Sequence, residues 1–343
     1  MTTIIVVVLL LAVTAYAVFA GADFGAGFWD LIAGGDERGE QPRSVIERAI
    51  GPVWEGNHVW LIFGFVILWS GFAEAYASVA LTLYVPLTIA ALGIVLRGAG
   101  FAFRKSVSRT RHRRIFGGAF AIPSVIVPYC LGTVVGAIAS GRVPAGGVAG
   151  DLWSSWINPT SILVGVLAVT MAAYLATVYL SVDAHRLSDR AMVDYFRRRA
   201  VASAVVAGIV AGVGIAVLRS DARFVFNGLM TRALPFVVLS TLCGAGSLLL
   251  LLRRAHFVVA RALAAAAVAL VVVSWGFAQW DYILPETLTV SEASAPGGTL
   301  VALLVVAVAG LVFIGPAFLW LYRLHQRGTL EEDDGDGALV HDA

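Results

Sequence analysis

The chain has 343 residues, 59% of them hydrophobic and 13% charged, with a formal net charge of +2 and a mean hydropathy of +0.86. Soluble domains carry about 25% charged residues, so this composition excludes an ordinary soluble protein and defines an integral membrane protein. The small net charge gives no reason to expect nucleic acid as a partner.

Crossing a bilayer takes roughly 20 mainly apolar residues per helix. Nine such stretches follow in order: residues 3–31, 57–73, 78–101, 115–139, 160–181, 201–218, 235–252, 257–279 and 299–321. The first opens "TTIIVVVLLLAVTAYAVFAGA". It has no positively charged leader, and its apolar pattern continues to Ile32, so it reads as a helix rather than a cleaved signal peptide. With the N-terminus outside, 18 of the 24 Lys and Arg fall in segments 34–50, 102–114, 182–200, 253–256 and the tail after 322. Basic residues accumulate on the cytoplasmic side, so the topology is N-out and C-in. The run "RKSVSRTRHRR" is then an inner-leaflet anchor.

No connecting loop is long enough for a soluble domain. The fold class is all-α, with nine transmembrane helices that divide into two four-helix bundles plus one peripheral helix. The domain organisation is a polytopic unit over residues 1–327 and a disordered acidic cytoplasmic tail over 328–343, "TLEEDDGDGALVHDA" with its preceding glycine having almost nothing to bury. Cys130 and Cys243 lie in apolar spans without C-x-x-C spacing, which makes them packing residues rather than a disulfide or metal site.

Polar side chains at depth are the functional candidates, because hydrocarbon tolerates them mainly where they pair or act. Asp23 follows more than fifteen apolar positions, and Asp30 lies seven residues on, near the same helix face. Glu55 opens the second span with Asn57 and His58 close behind, and Arg97 interrupts the end of the third. All fall toward the same, cytoplasmic, side. An arginine among carboxylates there forms a cluster able to take up water and protons. The plainer reading is a membrane boundary, with Arg97 reaching out to headgroups. Of six histidines only His58 approaches a span, a poor basis for axial haem ligation inside this chain. No metal spacing, phosphate loop or Ser-His-Asp arrangement is present.

These residues resemble a known family, subunit II of the cytochrome bd-type quinol oxidases. The likeness rests on "GADFGAGFWDL", "GPVWEGNHVWLI", "LRGAGFAFR", "INPTSILVGVLAVTMAAYLATVYL" and "YILPETLTVSEASAPGGTL", in the family's order along nearly the whole membrane portion. It implies a respiratory enzyme of the bacterial cytoplasmic membrane that oxidises quinol and reduces oxygen to water, with protons drawn from the cytoplasm. Haems b and d and the quinol site belong to subunit I. Subunit II then holds no haem or metal and supplies no catalytic residue, with at most a structural quinone or lipid inside it. The implied partners are subunit I, small accessory subunits, membrane lipid and quinol.

Residue by residue, the resemblance places Glu55 at proton entry and Trp60 on an oxygen route, and sets Trp54, Asn57, Asp23 and Arg97 on family positions. With His58 added from its place beside Glu55, the expected proton pathway is Glu55, Asp23, His58 and Asn57, with Arg97 as their charge partner and Trp54 in a structural role. Trp54 and Trp60 also suit ordinary interfacial anchors. The chain departs from the family where it has Ala20 and Ala102 in place of carboxylates, His58 in place of Glu or Gln, and Glu55 in place of Asp. These departures mark a divergent branch with a thinner set of acids around Arg97. Two other classes fit the polar residues: a proton-coupled secondary transporter using Asp23, Glu55 and Arg97, and a purely structural assembly subunit.

Overall fold

The computed structural model describes residues 1–50, 54–106 and 110–326; the expected acidic tail over 328–343 lies outside the described residues. Helix α1 (Thr2–Leu31) is a single 30-residue helix, about 45 Å long at 1.5 Å per residue. The connecting segment after it, read above as a loop, folds into α2 (Asp36–Ile50). Its Val45 and Ile46 are buried while Arg38, Glu40, Gln41 and Ser44 face outward, so an amphipathic pattern hidden among charges makes the helix.

Helix α3 (Trp54–Gly71) is followed by α4 (Ala73–Thr82) after a bend of 118°. Phe72 at the break is fully buried and non-helical, with φ −143° and ψ 56°. The freed carbonyl of Gly71 accepts from Ala295 N at 2.8 Å. Helix α4 does not belong to the next span. The apolar stretch expected at 78–101 begins instead at Tyr84, where α5 (Tyr84–Ser106) starts. Pro86 sits in the first turn of α5, where its missing N–H costs nothing and its ring bars continuation from α4. One face of α4 supports the loop over 140–158: Glu74 Oε1, Ser78 Oγ and Thr82 Oγ1, spaced by four, accept from the backbone N–H groups of Gly146, Gly147 and Gly150.

Helices α6 (Thr110–Ala121) and α7 (Pro123–Ala139) meet at Pro123. Then come α8 (Pro159–Arg186), capped by Asn158, and α9 (Arg190–Asp221), capped by Asp189. After a short α10 (Arg223–Met230), α11 (Leu234–Leu252) and α12 (Phe257–Ala278) pack as a hairpin. The all-α reading misses one small feature, an antiparallel pair β1 (Tyr282–Leu284) and β2 (Leu288–Thr289). A turn α13 (Val290–Ala293) with a Thr289–Glu292 capping box leads to α14 (Gly297–Gln326). Among the described residues, eight helices are long and apolar enough to cross a membrane, or nine when the bent pair counts as one span.

Helix α1 is the central element, touching α3, α7, α8 and α12. Its N-terminal end joins a cluster of Ile5, Phe72, Leu83, Leu284 and Leu300. Near its other end Ala26 joins Val45, Ile46, Phe120, Leu180 and Phe196. The polar residues of interest stand just inside this second, arginine-rich end.

A buried ion pair beside an apolar cavity

Asp23 lies eight residues before the end of α1, about 12 Å from it along the axis. Across from it, Arg97 projects from α5 and is 1% exposed, with Asp23 at 5%. The two meet as a fork on a carboxylate: Arg97 Nη2 donates to Asp23 Oδ1 at 2.6 Å and Nη1 to Oδ2 at 2.9 Å. Nη2 also reaches the Asp23 carbonyl at 3.2 Å. Nε donates to Ser124 Oγ at 2.9 Å, and that hydroxyl in turn donates to the Phe120 carbonyl at 2.7 Å. Phe24 and Phe120 stack over the guanidinium at 4.9 and 4.7 Å. Burying two charges demands this degree of pairing, and the side chain is held inside the bundle rather than reaching toward headgroups.

Two glycines make the approach possible. A Cβ on Gly27 collides with Ser124 Oγ, and one on Gly25 collides with the Ala172 carbonyl of α8. Small residues therefore let α1 press against α7 and α8, which brings Ser124 to Arg97.

Of the other sequence candidates, His58 stands beside this pair, its ring centroid 6.1 Å from Tyr16 and 5.9 Å from Phe24. Its Nδ1 and the Tyr16 hydroxyl are buried without hydrogen-bond partners. Asn57 is buried at 8% exposure. Trp60 stacks with Phe19 at 6.4 Å. Glu55 and Trp54 open α3 at the same end, but their side chains lie outside the described residues. Asp30 is brought not to Arg97 but to Arg43 of α2, 3.4 Å away. Ala20, at a position where the resemblance leads one to expect a carboxylate, is buried with Phe24, Ala90, Val127 and Cys130, so apolar packing fills that place; Ala102 is exposed.

Sequence reasoning missed Ser124, Phe120 and Tyr16. Tyr16 was within reach, since it precedes Asp23 by seven residues, two turns along the same face. Ser124 carries no such mark.

Next to the pair, a cavity of about 1210 Å³ extends among α1, α3, α7, α8, α9, α11 and α12. Its lining includes Tyr16 and Trp60. Most of the wall is aliphatic, yet Tyr16 Oη, Trp275 Nε1 and Gln279 Oε1, all on lining residues, are buried without partners. His58 is not part of the wall.

Apolar spans arranged around an internal carboxylate–guanidinium pair define a multi-pass membrane protein whose polar chemistry is enclosed by its helices. The chain belongs to the family described as cytochrome bd terminal oxidase subunit II, which matches residues 1–325. Cytochrome bd ubiquinol oxidase subunit 2 of Bacillus subtilis (strain 168) is 31% identical over 155 residues, 45% of each chain. Cytochrome bd-I ubiquinol oxidase subunit 2 of Escherichia coli (strain K12) is 28% identical over 172 residues, 48% of this chain and 44% of that one. The alignments thus span a little under half the length of these curated relatives. A chain in the structure of bd oxidase from Geobacillus thermodenitrificans superposes with a TM-score of 0.75 at 27% identity, covering 94% of this chain and 98% of its own length.

Proposed function

We propose that the chain is the haem-free subunit II of a quinol:oxygen oxidoreductase of the bacterial cytoplasmic membrane, assembled with a haem-bearing subunit I and lining proton and oxygen access to it. The observation that carries this reading is the match to a bd oxidase chain over 98% of that chain's length. Small accessory subunits, lipid and quinol complete the proposed surroundings. The positive-inside rule supports an N-out, C-in topology. In it the bent pair counts as one of nine spans, α1, α3, α5 and α7 and then α8, α9, α11 and α12 form two bundles, and α14 stands outside. Residues 1–327 are the polytopic unit and 328–343 its cytoplasmic tail.

Haems b and d are assigned to subunit I. The residues described here do not fit a haem of their own: the His58 ring is packed against Tyr16 and Phe24 and is not part of the wall of the apolar cavity. No catalytic residue or metal ligand is assigned to this chain. The apolar cavity, with its few unpartnered polar atoms, suits a structural quinone or lipid.

The proton route starts at Glu55 in the first turn of α3, which takes a proton from the cytoplasm. Asn57 and His58 lie on the same helix, His58 one turn further in, and His58 leads to the level of Asp23. Arg97 fixes the Asp23 carboxylate and compensates its charge. Trp60, on the cavity wall, lies on the oxygen route, while Trp54 anchors the start of α3. The buried Asp23–Arg97 pair also suits a coupling site in a transporter, but a transporter has no need of a haem partner.

The test is quinol-driven oxygen consumption by the assembled, haem-loaded complex. Gln at position 55 keeps the shape and loses the proton; Asp keeps the proton. Glu55→Gln slows turnover at least tenfold and Glu55→Asp stays within about threefold of wild type. Equal turnover of Glu55→Gln and wild type across the pH range removes Glu55 from the route.

A further inference from the structure

Among the described residues, six arginines are buried or half-buried: Arg43, Arg97, Arg142, Arg197, Arg199 and Arg261. Five of them have carboxylate partners, respectively Asp30, Asp23, Asp221, Asp194 and Asp183. Arg199 has none. Its guanidinium lies 3.4 Å over the Tyr195 ring and 5.7 Å from that of Trp29, and Nη1 donates to the Tyr195 carbonyl at 3.3 Å. Trp29 is itself fixed by a 2.8 Å bond from Nε1 to the Ala173 carbonyl. The cation is thus held in place, with most of its five N–H donors unused. A half-buried charge so placed calls for an anion.

Its neighbour Arg198 is exposed and, among the described residues, also lacks a carboxylate partner. Both line a small groove of about 280 Å³ with Ala191, Met192, Asp194 and Tyr195. Asp194 does not neutralise them, being engaged by Arg197 at 3.4 Å and Arg254 at 3.3 Å.

The groove lies where α9 turns apolar. From Arg198 the same helix face continues through Ala202, Val205 and Ile209, all exposed. Arg198 to Ile209 is about 16 Å along the axis, half of a hydrocarbon core about 30 Å thick. Paired guanidinium groups above a stripe one leaflet long match a phosphate headgroup with its acyl chain below. Arginine forks suit phosphate oxygens, and basic pockets at this level of a membrane protein suit anionic headgroups.

We propose that Arg198 and Arg199 bind the phosphate of an anionic phospholipid, whose acyl chain lies along Ala202, Val205 and Ile209. The headgroup groove shares no residue with the ion pair or with the cavity described above, although Val205 of the stripe also lines that cavity.

The test uses the protein purified in mild detergent with whatever subunits accompany it. Native mass spectrometry follows the lipid retained, and titration with dioleoylphosphatidylglycerol, cardiolipin or dioleoylphosphatidylcholine gives relative affinities. Wild type prefers the anionic lipids. Arg198→Gln/Arg199→Gln weakens their binding about tenfold or more, and Arg198→Gln alone, at an exposed position that leaves the fold intact, weakens it about threefold. Arg190→Gln/Arg253→Gln removes equal charge from exposed, carboxylate-free positions at the same end and changes binding less than twofold. Equal losses in the two double variants indicate a diffuse field and overturn the site. So does unchanged binding in Arg198→Gln/Arg199→Gln. Loss of a co-purifying subunit with lipid binding intact also overturns it, assigning Arg199 to a protein carboxylate.

Discussion

Removing one half of the Asp23–Arg97 pair should cost far more than removing both. Asp23→Leu deletes two charge-assisted hydrogen bonds, at 2.6 and 2.9 Å, worth about 1.5–3 kcal/mol each. It leaves a guanidinium that is 1% exposed with Ser124 Oγ, a backbone carbonyl and two aromatic faces as its remaining contacts. The direct measure of breaking a buried pair, about 3–5 kcal/mol, falls in the same range. Arg97→Leu is the milder single change, because a lone carboxyl group can bind a proton whereas a lone guanidinium keeps its charge. Asp23→Leu/Arg97→Leu replaces the pair with apolar side chains inside an apolar bundle. Its cost should stay within about 2 kcal/mol. The assay is reversible unfolding in mixed micelles, read as a shift in the denaturing-detergent midpoint and combined as a double-mutant cycle. A coupling energy of about 3 kcal/mol, the upper end of the usual range, is the expected result. Single costs below about 1 kcal/mol that simply add would refute the claim that this pair organises the site.

Gly25→Val drives a side chain into the Ala172 carbonyl, so α1 and α8 separate and the yield of folded protein should fall several-fold, with Gly64→Ala, whose Cβ meets nothing nearer than 3.9 Å, near wild type. Asp221→Ala removes the acceptor for two Arg142 bonds and two Thr160 bonds and should destabilise the protein by about 1–3 kcal/mol, measured by the same unfolding assay. Outside the spans, hydrogen bonds from the Thr289 hydroxyl and backbone N–H hold the Glu292 carboxyl below its ordinary 4.5. A depressed value stabilises the folded turn above pH 4.5, and that contribution disappears as pH falls through the lower folded value. Hydrogen exchange at the Thr289 amide should therefore lose protection over that acid window, and Glu292→Gln should abolish the pH dependence.

Some of this architecture was readable in the residues and some was not, for identifiable reasons. The 30-residue α1 follows from a long, mainly apolar run without proline. Helix α4 did not stand out, because "AEAYASVALT" is apolar enough to pass as the start of the next span; only Gly71 before it and Pro86 after it mark the breaks. Helix α2 was hidden by its charges, since a polar stretch with two buried apolar positions, Val45 and Ile46, looks like a loop. At the site, Asp23 and Arg97 announced themselves as charges at one depth within apolar sequence. Ser124 could not, because a serine in a membrane helix usually bonds only its own backbone, and what sets this one apart is its position against Gly27. The cavity left no trace in the sequence, as the same alanines, valines and leucines line a void or fill a core. Arg199 and its missing carboxylate are likewise facts of three-dimensional pairing.

The central claim is that this chain works as the haem-free half of a quinol oxidase. The most direct measurement is reduced-minus-oxidised absorption and quinol-driven oxygen consumption on the chain purified alone and on the material that co-purifies with it from its native membrane. The account predicts no stoichiometric haem signal and no turnover for the chain alone, and haem absorption with oxygen consumption for a complex containing a second, haem-bearing membrane subunit. A stoichiometric haem in the isolated chain that disappears in His58→Ala would contradict it, as would proton-coupled solute uptake by the chain reconstituted on its own.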